Sequence, residues 1–377
     1  MKIIRMLKII DMIFGCLAVR ILSIFSPVQS DHGVVSSILI IRPGGIGDAV
    51  HLLPAVQLLK KRFPNIAIDI LAERRNSSIF ALSPLLRSVM NYDVPHEFLS
   101  VFRKEYDVVI DTEQWHRLSA VVARLTKAAT LIGFATNERS RLLSFPIPYS
   151  HDDYEVVSFL RLLEPLGINS PQHIETAWLE VPSAAAARAT ELLRPLNSGK
   201  FVAIFPGASI PERRWGVDRF RTLAQRLTDE GVPVVVIGGM EDAREGEAIV
   251  RGLPAALNLA AKTSLLESAA VVDRCAVLVS GDSGILHIGV GLGRPTVSLF
   301  GSGIARKWAP RGADHIVIDR HLNCSPCTQF GYTPRCPINA RCMAEILPDE
   351  VFTATVSLLN LKTPQLPNYL LDIAGRH

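Results

Sequence analysis

The feature that most constrains the fold is a strand, a glycine-rich turn and a helix in immediate succession near the start of the chain. Residues 38–41 are Ile and Leu without a polar break, the pattern of a strand buried on both faces of a parallel sheet. Pro43 and three glycines then end the strand, and residues 49–62 have helical spacing. This succession is the unit from which α/β domains are built.

The same alternation continues along the chain and then restarts. Strands are predicted at 66–71, 106–111, 128–134, 200–205, 233–237, 276–280, 295–300 and 315–318, and helices at 217–228, 241–250, 265–270, 282–291 and 349–361. Between the halves, about 146–182 has helical stretches but no strong strand, and we interpret it as the passage between domains. The pattern predicts two doubly wound parallel-sheet domains with a cleft between them, ligands binding beyond the carboxyl ends of the strands.

Composition agrees with two folded domains and excludes some partners. The chain has 377 residues, of which 48% are hydrophobic and 20% charged, enough for two cores of ordinary size. Its net charge is +4, and the cations are scattered rather than gathered in one stripe. Nucleic acid is therefore a poor candidate, whereas an anionic small molecule or a membrane surface fits.

The first 34 residues form a separate apolar and basic segment. Asp11 and Arg20 interrupt it, and the unbroken stretch at 12–19 is too short to span a bilayer. An amphipathic helix on the membrane surface fits residues 1–34, with apolar side chains inserted and cations near anionic lipid. The alternative is a helix packed on the protein's own surface.

The first glycine turn combines anion-binding geometry with a carboxylate. Gly44, Gly45 and Gly47 let the backbone approach a ligand, and they precede a helix N-terminus, which favours negative charge. Neither the phosphate-loop nor the dinucleotide fingerprint matches. Asp48 is a candidate general base, although the residues alone favour a helix N-cap.

Two loops of the second half carry groups suited to a nucleotide. In 206–215, the Ser209 hydroxyl and cations that include Arg213 can hold a diphosphate; the alternative is an exposed charged loop with Trp215 in the core. Glu241 follows a predicted strand, a suitable place for a ligand to ribose hydroxyls.

A third loop, 281–287, follows another predicted strand. Ser283 and Gly284 open a helix and so form an anion site. Asp282 cannot favour phosphate and is predicted to accept hydrogen bonds from sugar hydroxyls. His287 is either a cleft residue or a core histidine, and by itself it favours the core.

Four cysteines crowd the region after the last predicted strand. They are Cys324, Cys327, Cys336 and Cys342. Their number fits tetrahedral zinc, but two disulfides or free thiols fit as well, and a cytosolic chain disfavours disulfides. We expect a structural role, with reduced or metal-bound thiols, away from the three loops of the second half described above.

Five segments together carry a resemblance to a known family. They are IIRPGGIGDAVHLLP at 40–54, FPGAS at 205–209, RRW at 213–215, GDSGILHIGVGLGRPTVSLFG at 281–301 and WAP at 308–310. These segments resemble the ADP-heptose:lipopolysaccharide heptosyltransferases of glycosyltransferase family 9, and the similarity covers roughly residues 36 to 350.

The resemblance implies a GT-B fold, two facing Rossmann-like domains with a cleft between them. Residues 35–180 would form the acceptor domain, 181–348 the donor domain, and 349–377 a helix that returns to the first domain. It also implies inverting transfer that needs no metal or other cofactor. The zinc considered for the four cysteines would have a structural role only.

The matched positions imply roles for single residues. Asp48 looks like the general base, with the three glycines on the acceptor side. The donor ligands implied are Ser209, Arg213, Glu241, Asp282, Ser283 and Gly284. Family members carry Lys and Thr where Arg213 and Ser209 stand, which leaves the donor sugar open.

The expected protein is a peripheral glycosyltransferase at the cytoplasmic face of the inner membrane. It would move a sugar, heptose from ADP-heptose, onto a lipid-linked glycan acceptor of the lipopolysaccharide core or a related glycan. A nucleotide-sugar epimerase and a non-catalytic nucleotide- or glycan-binding module are the alternatives. A dehydrogenase fits less well, because Asp69 has the spacing of its ribose ligand but the glycine fingerprint is missing.

Overall fold

The computed structural model describes residues 10–24, 35–171, 174, 177–196, 199–329 and 332–359. The chain divides into two compact units, Met1–Glu180 and Val181–His377. Each unit contains one six-stranded sheet, and the paired strands in both sheets are parallel. The α/β class predicted from the alternating pattern is confirmed.

In the sheet of the first unit, the first strand of the chain lies in the middle. Its strands are β1 (Ser37–Ile41), β2 (Ala67–Ala72), β3 (Ser88–Asn91), β4 (Val108–Asp111), β5 (Thr130–Phe134) and β6 (Phe145–Ile147). Their order is β3-β2-β1-β4-β5-β6. The chain therefore reverses direction across the sheet between β1 and β4, the point where ligands bind in doubly wound folds.

The sheet of the second unit repeats this path. Its strands are β7 (Val202–Phe205), β8 (Val234–Val236), β9 (Ala256–Asn258), β10 (Val277–Gly281), β11 (Thr296–Phe300) and β12 (His315–Asp319). The order β12-β11-β10-β7-β8-β9 puts the equivalent switch point between β7 and β10.

The α-helices lie mostly between the strands. In the first unit they are α1 (Cys16–Leu22), α2 (Ile46–Arg62), α3 (Pro95–Val101), α4 (Arg117–Leu125) and α5 (Glu155–Arg161). In the second they are α6 (Ser183–Leu193), α7 (Val217–Asp229), α8 (Ala243–Val250), α9 (Leu265–Val272), α10 (Gly284–Gly291), α11 (Ala305–Trp308), α12 (Arg341–Ala344) and α13 (Pro348–Leu358).

The described part of the N-terminal segment packs on the first unit. A π-helical turn, Asp11–Gly15, leads into α1. The Asp11 carboxylate accepts hydrogen bonds from the backbone N–H groups of Arg117 (2.7 Å) and Leu118 (2.6 Å), at the start of α4. One face of the segment is thus buried on the protein's own surface, the alternative weighed above, while large apolar side chains on it stay exposed. In the ranges described, the structure contains no helix long and apolar enough to cross a membrane.

The described residues of helix α13 pack into the core of the second unit, where Val351 and Phe352 are buried. The return of residues 349–377 to the first domain stays a prediction. Arg226 of α7 forms an ion pair with Asp349 and lies over the Phe352 ring, 4.0 Å from its centroid. The apolar face of α13 is therefore buried within the second unit. Residues 360–377 lie outside the described ranges.

Three short strands were not predicted. β3, β6 and β9 each lie at an edge of a sheet, and β6 falls in the stretch interpreted as a passage between domains. Their residues are mostly half-buried. An edge strand needs fewer apolar residues than a central one, so its sequence signal is weak.

Candidate functional site

The first glycine turn is held in place by a buried carboxylate. Glu73, just beyond β2, accepts hydrogen bonds from the Gly44 N–H (3.3 Å) and the Tyr92 hydroxyl (2.8 Å), and pairs with Arg75 at 2.6 Å. Gly44 has a φ of +104°, in the left-handed region that favours glycine. Glu73 carried no sequence motif; its position just after a strand was the available signal.

Asp48 lies in the first turn of α2, but it is not the N-cap. The N-cap is Gly45, which places Asp48 at the third helical position, so the N-cap interpretation is wrong. The Asp48 side chain is half-buried. Its carboxylate is near Tyr149: burial, the charge of Glu155 and the charge of Asp48 together raise the pKa of that phenol. A helix N-terminus favours negative charge, so a carboxylate at this place suits a proton acceptor.

A buried polar chain lies beside this turn. The Arg42 guanidinium donates to the Thr112 carbonyl at 3.1 Å and lies 3.5 Å from the Gln114 side-chain oxygen. The Gln114 amide donates to Glu155 at 2.6 Å, and the Tyr149 hydroxyl donates to the other Glu155 oxygen at 3.1 Å. Sequence reasoning did not find this chain, because its members come from four separate segments.

Asp69 occupies the interior of β2 and not a ligand position. It pairs with Arg87 (2.7 Å) and Lys104 (2.9 Å) and accepts hydrogen bonds from Ser88 (2.8 Å) and Tyr106 (3.0 Å). Burial raises its pKa, but the hydrogen bonds from Arg87, Lys104 and Ser88 outweigh burial and lower the pKa below its ordinary value. The dehydrogenase alternative therefore has no support from this residue.

In the second unit, three predicted site residues meet beyond the switch point. Arg213 lies 2.8 Å from Asp282, and the His287 ring nitrogen lies 3.9 Å from the other Asp282 oxygen. Burial raises the pKa of Asp282, although Arg213 opposes the shift. Burial and the Arg213 charge lower the pKa of His287 to about 3, so the imidazole is neutral. His287 is buried, as predicted, yet it also borders the Arg213–Asp282 pair.

The start of α10 is built for an anion. Ser283 is the N-cap and accepts a hydrogen bond from the Leu286 N–H at 3.2 Å. Its hydroxyl also lies 2.8 Å from that of Ser280. Gly284 is the first helical residue. Asp282, the residue before this N-cap, pairs with Arg213, so the guanidinium lies close to the start of α10. A helix N-terminus with a neighbouring guanidinium suits a phosphate group.

The loop after β7 divides its residues between core and surface. Trp215 is buried and donates its indole N–H to the Ile346 carbonyl at 2.9 Å, the core role weighed above. Ser209 is exposed. Arg214 turns to Asp242 (3.5 Å) and Glu245 (2.9 Å). The guanidinium available to a ligand beside Asp282 is therefore that of Arg213.

The loop after β8 brings two carboxylates close to glycine backbone. Glu241 is exposed and its carboxylate lies over Gly239, where a Cβ would be 2.6 Å away. Asp242 is buried against Gly207 and Gly238, and it accepts a hydrogen bond from the Gly239 N–H at 3.0 Å. Burial raises the pKa of Asp242, and the Glu241 charge adds to the shift.

Several buried polar atoms of these loops lack hydrogen bonds. Within the described residues these are Arg213 Nε, Asp242 Oδ1 and Asp282 Oδ2, the last lying close to Arg213 but without hydrogen-bond geometry. Buried polar groups are usually satisfied. Two of the three have ion-pair partners, Asp282 Oδ2 with Arg213 and Asp242 Oδ1 with Arg214, which leaves Arg213 Nε as the one without either kind of contact.

The cysteine segment lies against these same loops, which corrects a prediction. The Cys327 N–H donates to the Ser302 carbonyl at 3.2 Å, and the Cys336 N–H donates to Glu212 at 3.3 Å. Glu212 precedes Arg213, and Gly303, next to Ser302, packs on Asp282. The sequence analysis placed the segment away from these loops. The contact was not predictable, because the segment is far from residues 206–215 in the sequence.

The cysteines influence one another but form no metal site as they stand. Burial and the neighbouring Cys336 and Cys324 raise the pKa of the Cys327 thiol. All four are free thiols. No group of three or more His, Cys, Asp or Glu side chains is arranged to hold a metal in the part of the chain that the structure describes.

Comparison with known proteins identifies a family. The family model for glycosyltransferase family 9 (heptosyltransferase) matches residues 98–333. A lipooligosaccharide heptosyltransferase 2 of Haemophilus influenzae is 27% identical over an alignment of 309 positions, which covers 75% of this chain and 88% of the relative.

Solved structures agree on the fold. The ADP-heptose lipopolysaccharide heptosyltransferase II of Escherichia coli matches with a TM-score of 0.71 and 23% identity, over 86% of this chain and 98% of that one. An E. coli heptosyltransferase with ADP-2-deoxy-2-fluoro heptose matches with a TM-score of 0.62 and 21% identity, over 75% and 92%. The expected GT-B fold is confirmed, and the chain belongs to glycosyltransferase family 9, the heptosyltransferases.

Proposed function

We propose that this glycosyltransferase moves a heptose from ADP-heptose onto a lipid-linked acceptor of the lipopolysaccharide core. Family membership and the substrates in the names of its relatives support the sugar and the acceptor. One observation in the chain itself carries the proposal. Arg213, with an unsatisfied guanidinium nitrogen, lies beside Asp282 and the first turn of α10.

The donor diphosphate binds at this place. The Arg213 guanidinium and the N–H groups at the start of α10 neutralise the oxygens of the diphosphate. They act most strongly as the sugar–oxygen bond breaks, because negative charge then grows on the leaving ADP. Asp282 accepts hydrogen bonds from sugar hydroxyls and pairs with Arg213, and Ser209 adds a hydroxyl donor to phosphate.

Glu241 recognises the ribose. Its exposed carboxylate lies over Gly239 beyond β8, where carboxylates of nucleotide-binding folds accept hydrogen bonds from ribose hydroxyls. His287 lies beside Asp282, 3.9 Å from its carboxylate, and its lowered pKa keeps the imidazole neutral there.

Transfer is inverting and takes one step. The acceptor hydroxyl oxygen forms a bond to the anomeric carbon while the bond to the diphosphate oxygen breaks, and its electron pair leaves with ADP. The hydroxyl proton passes to Asp48, which acts as the general base. Gly44, Gly45 and Gly47 leave backbone room for the acceptor beside that carboxylate. No metal or cofactor takes part in the proposed step.

Two further parts of the proposal concern structure and place. A structural zinc held by Cys324, Cys327, Cys336 and Cys342 would bring these thiols together as thiolates and brace the segment against the donor loops. Elemental analysis of purified protein without bound zinc would remove this part. We also place the enzyme peripherally on the cytoplasmic face of the inner membrane, where a lipid-linked acceptor is available.

The test is ADP release by the purified protein with ADP-heptose and a lipid A acceptor that bears inner-core sugars. Release that depends on the acceptor supports transfer. A sugar product formed from the donor without acceptor would instead indicate an epimerase. ADP binding without turnover on any donor would indicate a binding module.

A further inference from the structure

We infer that the outer face of the N-terminal helical segment, together with the end of α4, is a preformed surface that docks on anionic lipid. The surface consists of Ile13, Phe14, Leu17, Ile21, Ile24 and Leu125, and we call it the apolar patch. The inference rests on the proposed peripheral placement of the enzyme. It adds which side chains enter the bilayer and why they point outward.

The inner face of the segment is fixed to the protein body. Asp11 is buried and accepts two backbone hydrogen bonds at the start of α4, and its carboxylate lies 3.5 Å from the His116 ring. Gly15 packs so closely that a Cβ there would lie 3.1 Å from the Arg117 Cβ. Val19 is buried in a small core with Ala120 and Leu142. A polar anchor, a glycine contact and an apolar contact, each one turn apart, therefore set the rotation of the helix.

That rotation leaves the apolar patch in solvent. Ile13, Leu17, Ile21 and Ile24 follow one another at intervals of four, four and three, and Phe14 lies three residues before Leu17, so the five line one helical stripe. Together with Leu125 they are between 47% and 77% exposed. Single exposed apolar residues are ordinary, but a contiguous stripe rimmed by polar residues marks an interaction surface.

Charge around the patch favours lipid over a second copy of the chain. The cations Arg20, Arg117, Arg124 and Lys127 flank it, against the carboxylates of Asp11 and Glu138. A symmetric dimer would bring this cationic rim against itself, since the same patch faces its own copy. An anionic headgroup layer complements the rim instead.

One surface pocket has the chemistry of a lipid site. It lies where the segment meets α4 and is lined by Leu22, Arg124, Leu125 and Lys127. Two cations suit a headgroup phosphate, and two leucines suit the carbon chain next to it. The pocket continues the apolar patch through Leu125, so one bilayer surface fits both.

The experiment uses the full chain and vesicles. Wild-type protein is sedimented with vesicles of phosphatidylethanolamine and phosphatidylglycerol at 3:1, and with pure phosphatidylcholine. The test variant is Leu17→Asn with Ile21→Asn. The matched control is Leu99→Asn, a similarly exposed leucine on α3. A second test variant, Arg124→Gln with Lys127→Gln, removes the cations and keeps the patch.

We expect wild-type protein and the Leu99→Asn control to bind the anionic vesicles and not phosphatidylcholine. The apolar double variant should lose at least about tenfold in binding, because two inserted side chains become polar. The charge variant should lose about tenfold or more on anionic vesicles, as two cations near the surface are removed.

Equal vesicle binding by wild type and the apolar double variant would overturn the inference. So would a wild-type protein that ignores vesicles but self-associates through the patch, seen as a dimer by ultracentrifugation that Leu17→Asn with Ile21→Asn abolishes. ADP release with a deacylated, water-soluble acceptor separates this from the proposed function. Patch variants should keep that release; if no variant or wild type releases ADP while vesicle binding follows the patch, the proposed function fails and this inference stands.

Discussion

Asp69 and Asp282 are both buried carboxylates beside an arginine, yet they differ in position along the strand, in the number of their partners and in the direction of their pKa shift. Asp69 lies within β2 and has two cations and two hydroxyl donors around it, so its pKa is lowered despite burial. Asp282 lies just beyond β10, where Arg213 is its ion-pair partner at 2.8 Å, and burial raises its pKa. The first carboxylate has four partners supplied by the fold, whereas the second has one arginine and a histidine 3.9 Å away.

The difference follows from position along a strand. A side chain within a strand is surrounded by neighbouring strands and helices that can supply partners. A side chain at the carboxyl end has partners on one side only, and the other side belongs to the ligand.

Asp48→Asn sharpens the comparison most, because it removes a carboxylate from a strand-to-helix turn without a change of shape. We expect kcat for ADP release to fall by about 10²- to 10⁴-fold, the usual contribution of a general base. ADP affinity, measured by calorimetry, should stay the same, since Asp48 is assigned to the acceptor. Turnover close to that of the wild type would exclude Asp48 as the base.

Arg213→Gln tests the second unit in the same way. Loss of the guanidinium should lower kcat by about 10²- to 10³-fold, because the leaving diphosphate loses its nearest cation. Arg213→Lys should recover part of the rate, since it restores the charge but not the planar fork. If Arg213→Gln and the wild type release ADP equally fast, Arg213 is only the counter-ion of Asp282.

Asp69→Asn should have the opposite profile, with loss of stability and little loss of rate. Removing one partner of a buried ion pair costs about 3 kcal/mol, at the low end because Arg87 and Lys104 can turn toward water. Hydrogen exchange of β1 and β2 peptides reports the loss, and β7 and β10 peptides serve as the control. A reduced kcat per folded molecule would break the distinction drawn here.

The two units should lose stability at different pH values as acid is added. The folded-state pKa of His287 is about 3, below that of an unfolded histidine near 6.5, so the unfolded state gains a proton first as pH falls. The second unit then loses up to about 1.4 kcal/mol per pH unit from this group, from about pH 6.5 downward. The lowered pKa of Asp69 affects the first unit only below about pH 4, where its stabilisation is lost as pH falls through the folded value.

Hydrogen exchange between pH 7 and 4 measures both slopes. In His287→Gln the β7 and β10 peptides should show a flatter pH dependence, while the β1 peptides should not change. An unaltered slope in this variant would mean that another group controls acid stability of the second unit.

The smallest effect is expected at Ser209, which is exposed on the loop after β7. Ser209→Ala removes the hydroxyl proposed to donate to phosphate and should raise KM for the donor by about two- to tenfold. Ser209→Thr keeps the hydroxyl and should match the wild type. A larger effect of Ser209→Ala on kcat than on KM would move Ser209 from donor binding to catalysis.

The central strands and the glycine turns were predictable because their signal is local. A strand buried on both faces is apolar along most of its length, as β1, β4, β7 and β10 are, although β4 ends in Asp111 and β10 contains Ser280. The edge strands β3, β6 and β9 were missed, since half-buried residues tolerate polar neighbours. Asp48, Ser283 and Gly284 were found from their place in strand–turn–helix segments, although their roles come from the family resemblance.

Sequence alone determined two α/β units, the order of their elements, and the loops that follow the strands, because periodicity records which faces are buried. The tertiary structure decided which of those residues meet. Arg213 and Asp282 are far apart in the chain and adjacent only because β7 and β10 are neighbours in the sheet. The contact of the cysteine segment with the donor loops, the docking of α13 and the outward face of the N-terminal helix were decided in the same way, since each depends on a partner surface that no local pattern encodes.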